Sequence, residues 1–253
     1  SKLPGPTVAP GGWGELSRIT KSHWLRVDMA GQRVDDKVMK TWCDWARSAL
    51  GAAGSCKAAA IDFSSNSICD AGAIMLVDLL LELKVPVHQI WLQKNRLGRT
   101  ACEAIGRLVL GLPCALRELH LSHNYIDLSG AKALLEAVAS SSSGCSGQPA
   151  YPVAPEPHVR PIPLWLRLEK NPLEGQRATR PETGDWLLEE MARAIVRKRH
   201  EKGWPMGPPG QGPPLLLCSA GRQGCSVGTC IHQLRTPCPL VHIPHIGSPH
   251  SVM

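Results

Sequence analysis

The chain has 253 residues, a formal net charge of +7 and 43% hydrophobic residues, enough apolar side chain for a core, which excludes wholesale disorder. No apolar run approaches the ~18 residues of a membrane span, so no membrane partner is expected. Cys43, Cys56, Cys69, Cys102 and Cys114 are scattered through periodic segments as small apolar groups. They do not form a secreted disulfide framework, and they point to a reducing, intracellular compartment, cytoplasmic or nuclear.

Residues 1–20 carry Pro4, Pro6, Pro10 and the Gly11-Gly12 pair and are expected to form a flexible leader. The opening Ser-Lys-Leu-Pro lacks Met, as in a processed or excised piece. Trp24–Met29 reads as a strand, with Leu25 and Val27 alternating against Arg26 and Asp28. Asp35-Asp36 then starts a helix whose apolar positions include Met39, Trp42, Trp45 and Ala46. This is a degenerate first unit whose two tryptophans would cover the open end of the core.

The next segments repeat. Ile61-Asp-Phe-Ser-Ser-Asn66, Ile90-Trp-Leu-Gln-Lys-Asn95 and Leu119-His-Leu-Ser-His-Asn124 share one form, and their asparagines lie 29 residues apart. Six residues after each asparagine stands a small residue (Gly72, Ala101, Gly130). Aliphatics follow ten and fourteen after it: Leu76 and Leu80, Ile105 and Val109, Leu134 and Val138. Each unit is therefore a short strand, a tight turn and a helix whose i and i+4 positions face the strand layer. The asparagine amides point inward as a ladder that satisfies backbone groups at the bend. The small residue lets the helix approach the strand layer. No unit of this size is stable alone, because ordering it costs more than its few aliphatics return.

Leu166-Arg-Leu-Glu-Lys-Asn171 is a fourth copy, displaced by an 18-residue insertion. The segment 140–163 is Ser/Gly-rich and then Pro-rich, and is expected to bulge as a loop. Pro172 and Pro181 push the fourth helix to about 185–200, with Leu187, Leu188, Met191, Ile195 and Val196 inward. It ends in the basic run Arg197-Lys-Arg-His200. Residues 201–253 read as an irregular tail. Its Cys225, Cys230, Cys238 and His242 are ligand types for tetrahedral zinc. A zinc site, disulfide or redox chemistry, and no site at all remain open, and Leu240–Ile246 is a candidate short strand.

The pattern L-x-L-x-x-N-x-L at this period resembles the leucine-rich repeat of the ribonuclease-inhibitor type, clearest over 58–140 and looser over 24–50 and 164–200. The resemblance implies an α/β fold: a short, curved βα solenoid of four to five units over 21–200, with strands on the concave side. It implies a non-enzymatic scaffold for protein binding, with no catalytic residues or cofactor to carry over.

Residues alternating with the inward aliphatics point out of the sheet. Those expected to meet a protein partner are Arg26, Asp62, Trp91, Gln93, Glu118, His120, Trp165 and Arg167. The central column is expected to run Arg26, Asp62, Trp91, His120, Arg167, rich in residue types that anchor interfaces. The alternative is that the chain's own loop or tail covers Trp91 and Trp165. His120 beside Glu118 and Ser122 invites a triad reading, but same-face neighbours on one strand stand about 6.5–7 Å apart, too far for a relay. Two rival functions are a nucleic-acid-associated protein, using Arg197–Lys202 and a zinc-bound tail, and a regulatory segment of a larger enzyme. No phosphate-binding glycine loop or metalloprotease motif occurs.

Overall fold

A computed structural model describes residues 12–51, 53–143, 147–153, 162–173, 183–204, 215–217 and 240–243. In chain order, helix α1 (Trp13–Leu16) runs into strand β1 (Ser17–Ile19), followed by β2 (Trp24–Asp28) and α2 (Asp36–Ala49). The alternation continues with β3 (Ala58–Asp62), α3 (Asp70–Glu82), β4 (Val87–Trp91), α4 (Arg99–Gly111), β5 (Glu118–His120) and α5 (Leu128–Ser140). A two-residue hairpin pair, β6 (Ser142–Ser143) and β7 (Gln148–Pro149), precedes β8 (Leu164–Arg167) and α6 (Thr183–Glu201). Strands β9 (Leu215–Leu217) and β10 (Val241–Ile243) complete the described elements.

The result is a mixed α/β protein with one open sheet in the order β1-β2-β3-β4-β5-β8-β10-β9. Strand β1 is antiparallel to β2, and the other pairings in this sheet are parallel. Helices α2 to α6 pack against one another in chain order as a single layer. Parallel neighbours need a crossover between them, and each helix supplies one. Between helices and sheet lie Leu25, Val27, Ile61, Ile90, Leu119 and Leu166, all buried. The periodic helix positions Leu76, Leu80, Ile105, Val109, Leu134 and Val138 are buried as expected.

The asparagine ladder is present at every expected rung. Asn66 Nδ2 donates to the Met29 and Phe63 carbonyls, and its Oδ1 accepts from Val34 N–H. Asn95 Nδ2 donates to Phe63 and Leu92 carbonyls at 2.9 and 3.1 Å, while Oδ1 accepts from Ile68 N–H at 3.0 Å. Asn124 and Asn171 repeat the arrangement one and two strands further along. Each amide thus joins its own turn to the preceding unit. The residue before each asparagine (Ser65, Lys94, His123, Lys170) is left-handed, with φ between 56° and 60°. This sharp reversal is what aims the amide inward.

Several expectations change. The small residue faces the neighbouring helix turn rather than the strand layer. A Cβ on Gly72 would stand 2.5 Å from Asp36 Oδ1, and one on Gly130 would stand 3.0 Å from Arg99 Cα. A second ladder runs there: Asp36 Oδ1 accepts from Cys69 N–H at 2.8 Å, and Asp70 Oδ1 accepts from Gly98 N–H at 2.6 Å. Each aspartate carries negative charge at the positive end of a helix.

The described part of the leader, residues 12–20, is built into the fold. Trp13 is buried edge-on against Trp45 at 5.8 Å, and Trp42 packs on Phe63 at 4.9 Å. The insertion does not simply bulge. Ser142–Ser143 pairs antiparallel with Gln148–Pro149, and Tyr151 is buried with its hydroxyl donating to the Leu116 carbonyl at 2.7 Å. In α6, Leu187, Met191 and Ile195 face inward as expected, but Val196 is 42% exposed. The tail is not wholly irregular, since β10 and β9 extend the sheet beyond β8. No described helix is long and apolar enough to cross a membrane.

Candidate functional site

The sheet face away from the helices carries two rows of side chains set by strand register. One row runs Asp28, Asp62, Trp91, His120, Arg167, each the register partner of the next. The other runs Arg26, Ala60, Gln89, Glu118, Trp165, His242. Arg26 therefore stands one position outside the expected column, and Asp28 takes its place. The first unit has no ladder asparagine to mark its register, so alternation alone cannot choose between two residues on the same face.

A groove of about 800 Å³ crosses this face, walled at one end by the α1–β1 segment. Asp62, Trp91, Gln93, His120 and Arg167 line it, as does Arg26 from the second row. Arg18, Glu15 and Asp28 line it too. None of these three was among the residues expected to meet a partner, although Asp28 sits on the same strand face as Arg26. The strand character of 17–19 is only decided by its pairing with β2.

Trp165 is not available on this face. It is 3% exposed, covered edge-on by His242 of the neighbouring strand at 4.7 Å. His242, expected as a zinc ligand, is itself buried inside β10. Its proposed co-ligands Cys225, Cys230 and Cys238 lie outside the described residues. Among the described residues no group of three or more metal-binding side chains converges.

The centre of the groove is organised by Glu118. Its Oε2 accepts from Gln89 Nε2 at 2.8 Å and its Oε1 accepts from Trp91 Nε1 at 3.2 Å. His120 Nε2 stands 2.8 Å from the same Oε1. The backbone separation of Glu118 and His120 therefore does not keep them apart, because both side chains lean together. Burial pushes the Glu118 carboxyl upward. The close approach of the His120 ring, with the Gln89 and Trp91 donors, outweighs it and holds the group below the usual carboxylate range. Gln89 stands one 29-residue period before Glu118, so the repeat itself signalled this contact. The Trp91 ring meets His120 edge-on at 6.2 Å.

Further along, Arg167 pairs with the carboxylate of Glu169, which is itself 7% exposed. Gln93 Oε1, Arg167 Nε and Glu169 Oε2 are buried without a hydrogen-bond partner. Such groups are rare in folded interiors; others lie on the helices, at Trp42 Nε1 and Arg199 Nε.

A His–carboxylate pair can move protons, but the Glu118 carboxylate is already shared among three neighbours. Ser122 is 4% exposed, a poor position for a nucleophile. The basic end of α6 is also largely engaged. Arg197 pairs with Glu136, Lys198 with Glu201 at 2.8 Å, and buried Arg199 donates to the Tyr151 carbonyl at 2.5 Å. Burial lowers the Arg199 guanidinium to about 10.

No protein-family model matches the chain, and no curated protein matches it in sequence.

Proposed function

We propose that the chain is a leucine-rich-repeat scaffold of the ribonuclease-inhibitor-like type, a βα solenoid that binds another protein across its strand face and catalyses no reaction. The 29-residue period, the strand–turn–helix order and the inter-unit asparagine bonds support the architecture. The observation that carries the function is the groove across the strand face, with half-buried Trp91 at its centre and partly exposed Arg167 beside it. Trp and Arg are the side chains that most often anchor interfaces, because each joins a large contact area to a polar handle.

Trp91→Ala combined with Arg167→Ala should abolish capture of the partner that co-purifies with the native protein, while the circular dichroism spectrum stays unchanged. Capture that survives both substitutions overturns the assignment of this face. Engagement of Arg197, Lys198 and Arg199 within the protein weighs against a nucleic-acid role for the end of α6.

A further inference from the structure

We infer that the strand face sorts charge along one row, and that its occupant is an extended segment of a partner protein bearing one basic and one acidic side chain about four residues apart. This rests on the protein-binding reading above and specifies the partner's chemistry. The row begins with Asp28 and Asp62, register partners on neighbouring parallel strands. Like charges placed directly opposite each other oppose sheet formation, so a local cation would be expected to offset them.

No ion pair does so among the described residues, although Arg18 and Arg26 line the same end of the groove. Arg26, on the same face of β2, places its guanidinium over the Trp24 ring at 5.8 Å. Arg18 is held by the Glu15 carbonyl at 2.6 Å. Asp62 Oδ1 accepts only the Ser64 backbone N–H, at 2.8 Å. Neither aspartate has an ion pair with a described residue, and with Glu15 three carboxylates stand against the two guanidiniums of Arg18 and Arg26 at this end of the groove.

Next in the row comes Trp91, whose indole N–H is anchored on Glu118 and whose ring is therefore fixed. A cation seated at the aspartate pair would lie beside an aromatic ring, which adds to its attraction. The far end is the reverse. Arg167 has a 43% exposed side chain, and Glu169 holds one part of its fork. Nη2 is held by Glu169 and Nε is buried, so the exposed remainder of the guanidinium can meet a carboxylate through a single charge-assisted hydrogen bond.

From Asp62 to Arg167 is three strand spacings, roughly 14 Å at ~4.8 Å each. An extended peptide covers that distance in about four residues at ~3.4 Å apiece. A segment of the form Lys-x-x-x-Glu laid across the strands thus meets acid at one end, Trp91 in the middle and arginine at the other. A polyphosphate does not fit, because the aspartate end repels it.

The test uses the full chain with 15N-labelled tryptophan, reading the Trp91 indole N–H resonance, assigned with Trp91→Phe. Three end-capped synthetic peptides are titrated, each with two charged residues separated by three alanines: lysine with glutamate, two lysines, and two glutamates. The mixed peptide should shift the Trp91 resonance and bind about tenfold more tightly than either of the others. Asp28→Asn with Asp62→Asn should remove that advantage, and raised salt should weaken it. Equal binding by a like-charged peptide, no shift with any of the three, or an unchanged advantage in the Asp28→Asn, Asp62→Asn variant overturns the charge ordering. An oligothymidine that shifts Trp91 as strongly as the mixed peptide does so too. Partner capture by the Trp91→Ala, Arg167→Ala variant is measured separately. If that variant loses its partner while the peptide results fail, the face still binds protein and only the charge order is wrong.

Discussion

Asn95→Ala removes the most enclosed kind of rung in the ladder. Asn95 is 6% exposed and makes three hydrogen bonds, but they are not equivalent. The Phe63 carbonyl keeps a second donor from Asn66 at 2.9 Å, and the Leu92 carbonyl keeps one from Asn124 at 3.0 Å. Losing the Asn95 donor from each should cost about 0.5–1 kcal/mol. Ile68 N–H has only Asn95 Oδ1 as its acceptor. Orphaning this buried donor should cost a further 1–3 kcal/mol or so. The expected destabilisation is therefore about 3 kcal/mol. Asn171→Ala, at a half-buried rung where water reaches the freed groups, should cost about 1 kcal/mol. Urea unfolding followed by circular dichroism measures both through the shift in midpoint at constant slope. The reasoning fails if Asn95→Ala lies within about 0.5 kcal/mol of the native chain, or if the outer rung costs as much as the inner one.

Two further outcomes are expected. Gly72→Ala places a methyl group 2.5 Å from Asp36 Oδ1 and 2.7 Å from Ile68 Cγ2. It should lower stability by about 1–3 kcal/mol in a thermal melt, because Asp36 cannot move without releasing Cys69 N–H. A neutral effect would show that the helix turns are not in close contact. Glu118 has a folded-state pKa below its unfolded value. It therefore contributes stability above the ordinary glutamate range, and that contribution is lost as pH falls through the folded value. The stability gap between native protein and Glu118→Gln should narrow steadily on acidification. A gap that stays constant with pH would contradict the charge pairing with His120.

The ladder was legible because it is a local device repeated at a fixed interval. Asn66, Asn95, Asn124 and Asn171 each stand four residues after the strand-face row of Asp62, Trp91, His120 and Arg167 and two before an aliphatic, and the same turn geometry recurs in all four. The small residues were legible as a pattern but not in their purpose. Whether Gly72 yields to a strand or to a helix turn depends on how two successive units are staggered. Backbone spacing alone sets Glu118 and His120 too far apart to pair, but flexible side chains close the gap that Cβ positions leave open.

What the sequence determined by itself was the unit: a strand, a left-handed turn, an inward amide and a helix with one apolar face. These depend on contacts within one period and with the next, and repetition displays them several times. What only the tertiary structure decided lies at the ends and across the rows. It placed residues 17–19 beside β2, put Asp28 rather than Arg26 in line with Asp62, and covered Trp165 with His242. None of these contacts is marked by the 29-residue period: the first is a local antiparallel pairing, and the last joins Trp165 to His242 from the far end of the chain. No period announces such contacts; they are selected by which buried surfaces and strand edges remain to be covered once the repeating units have packed.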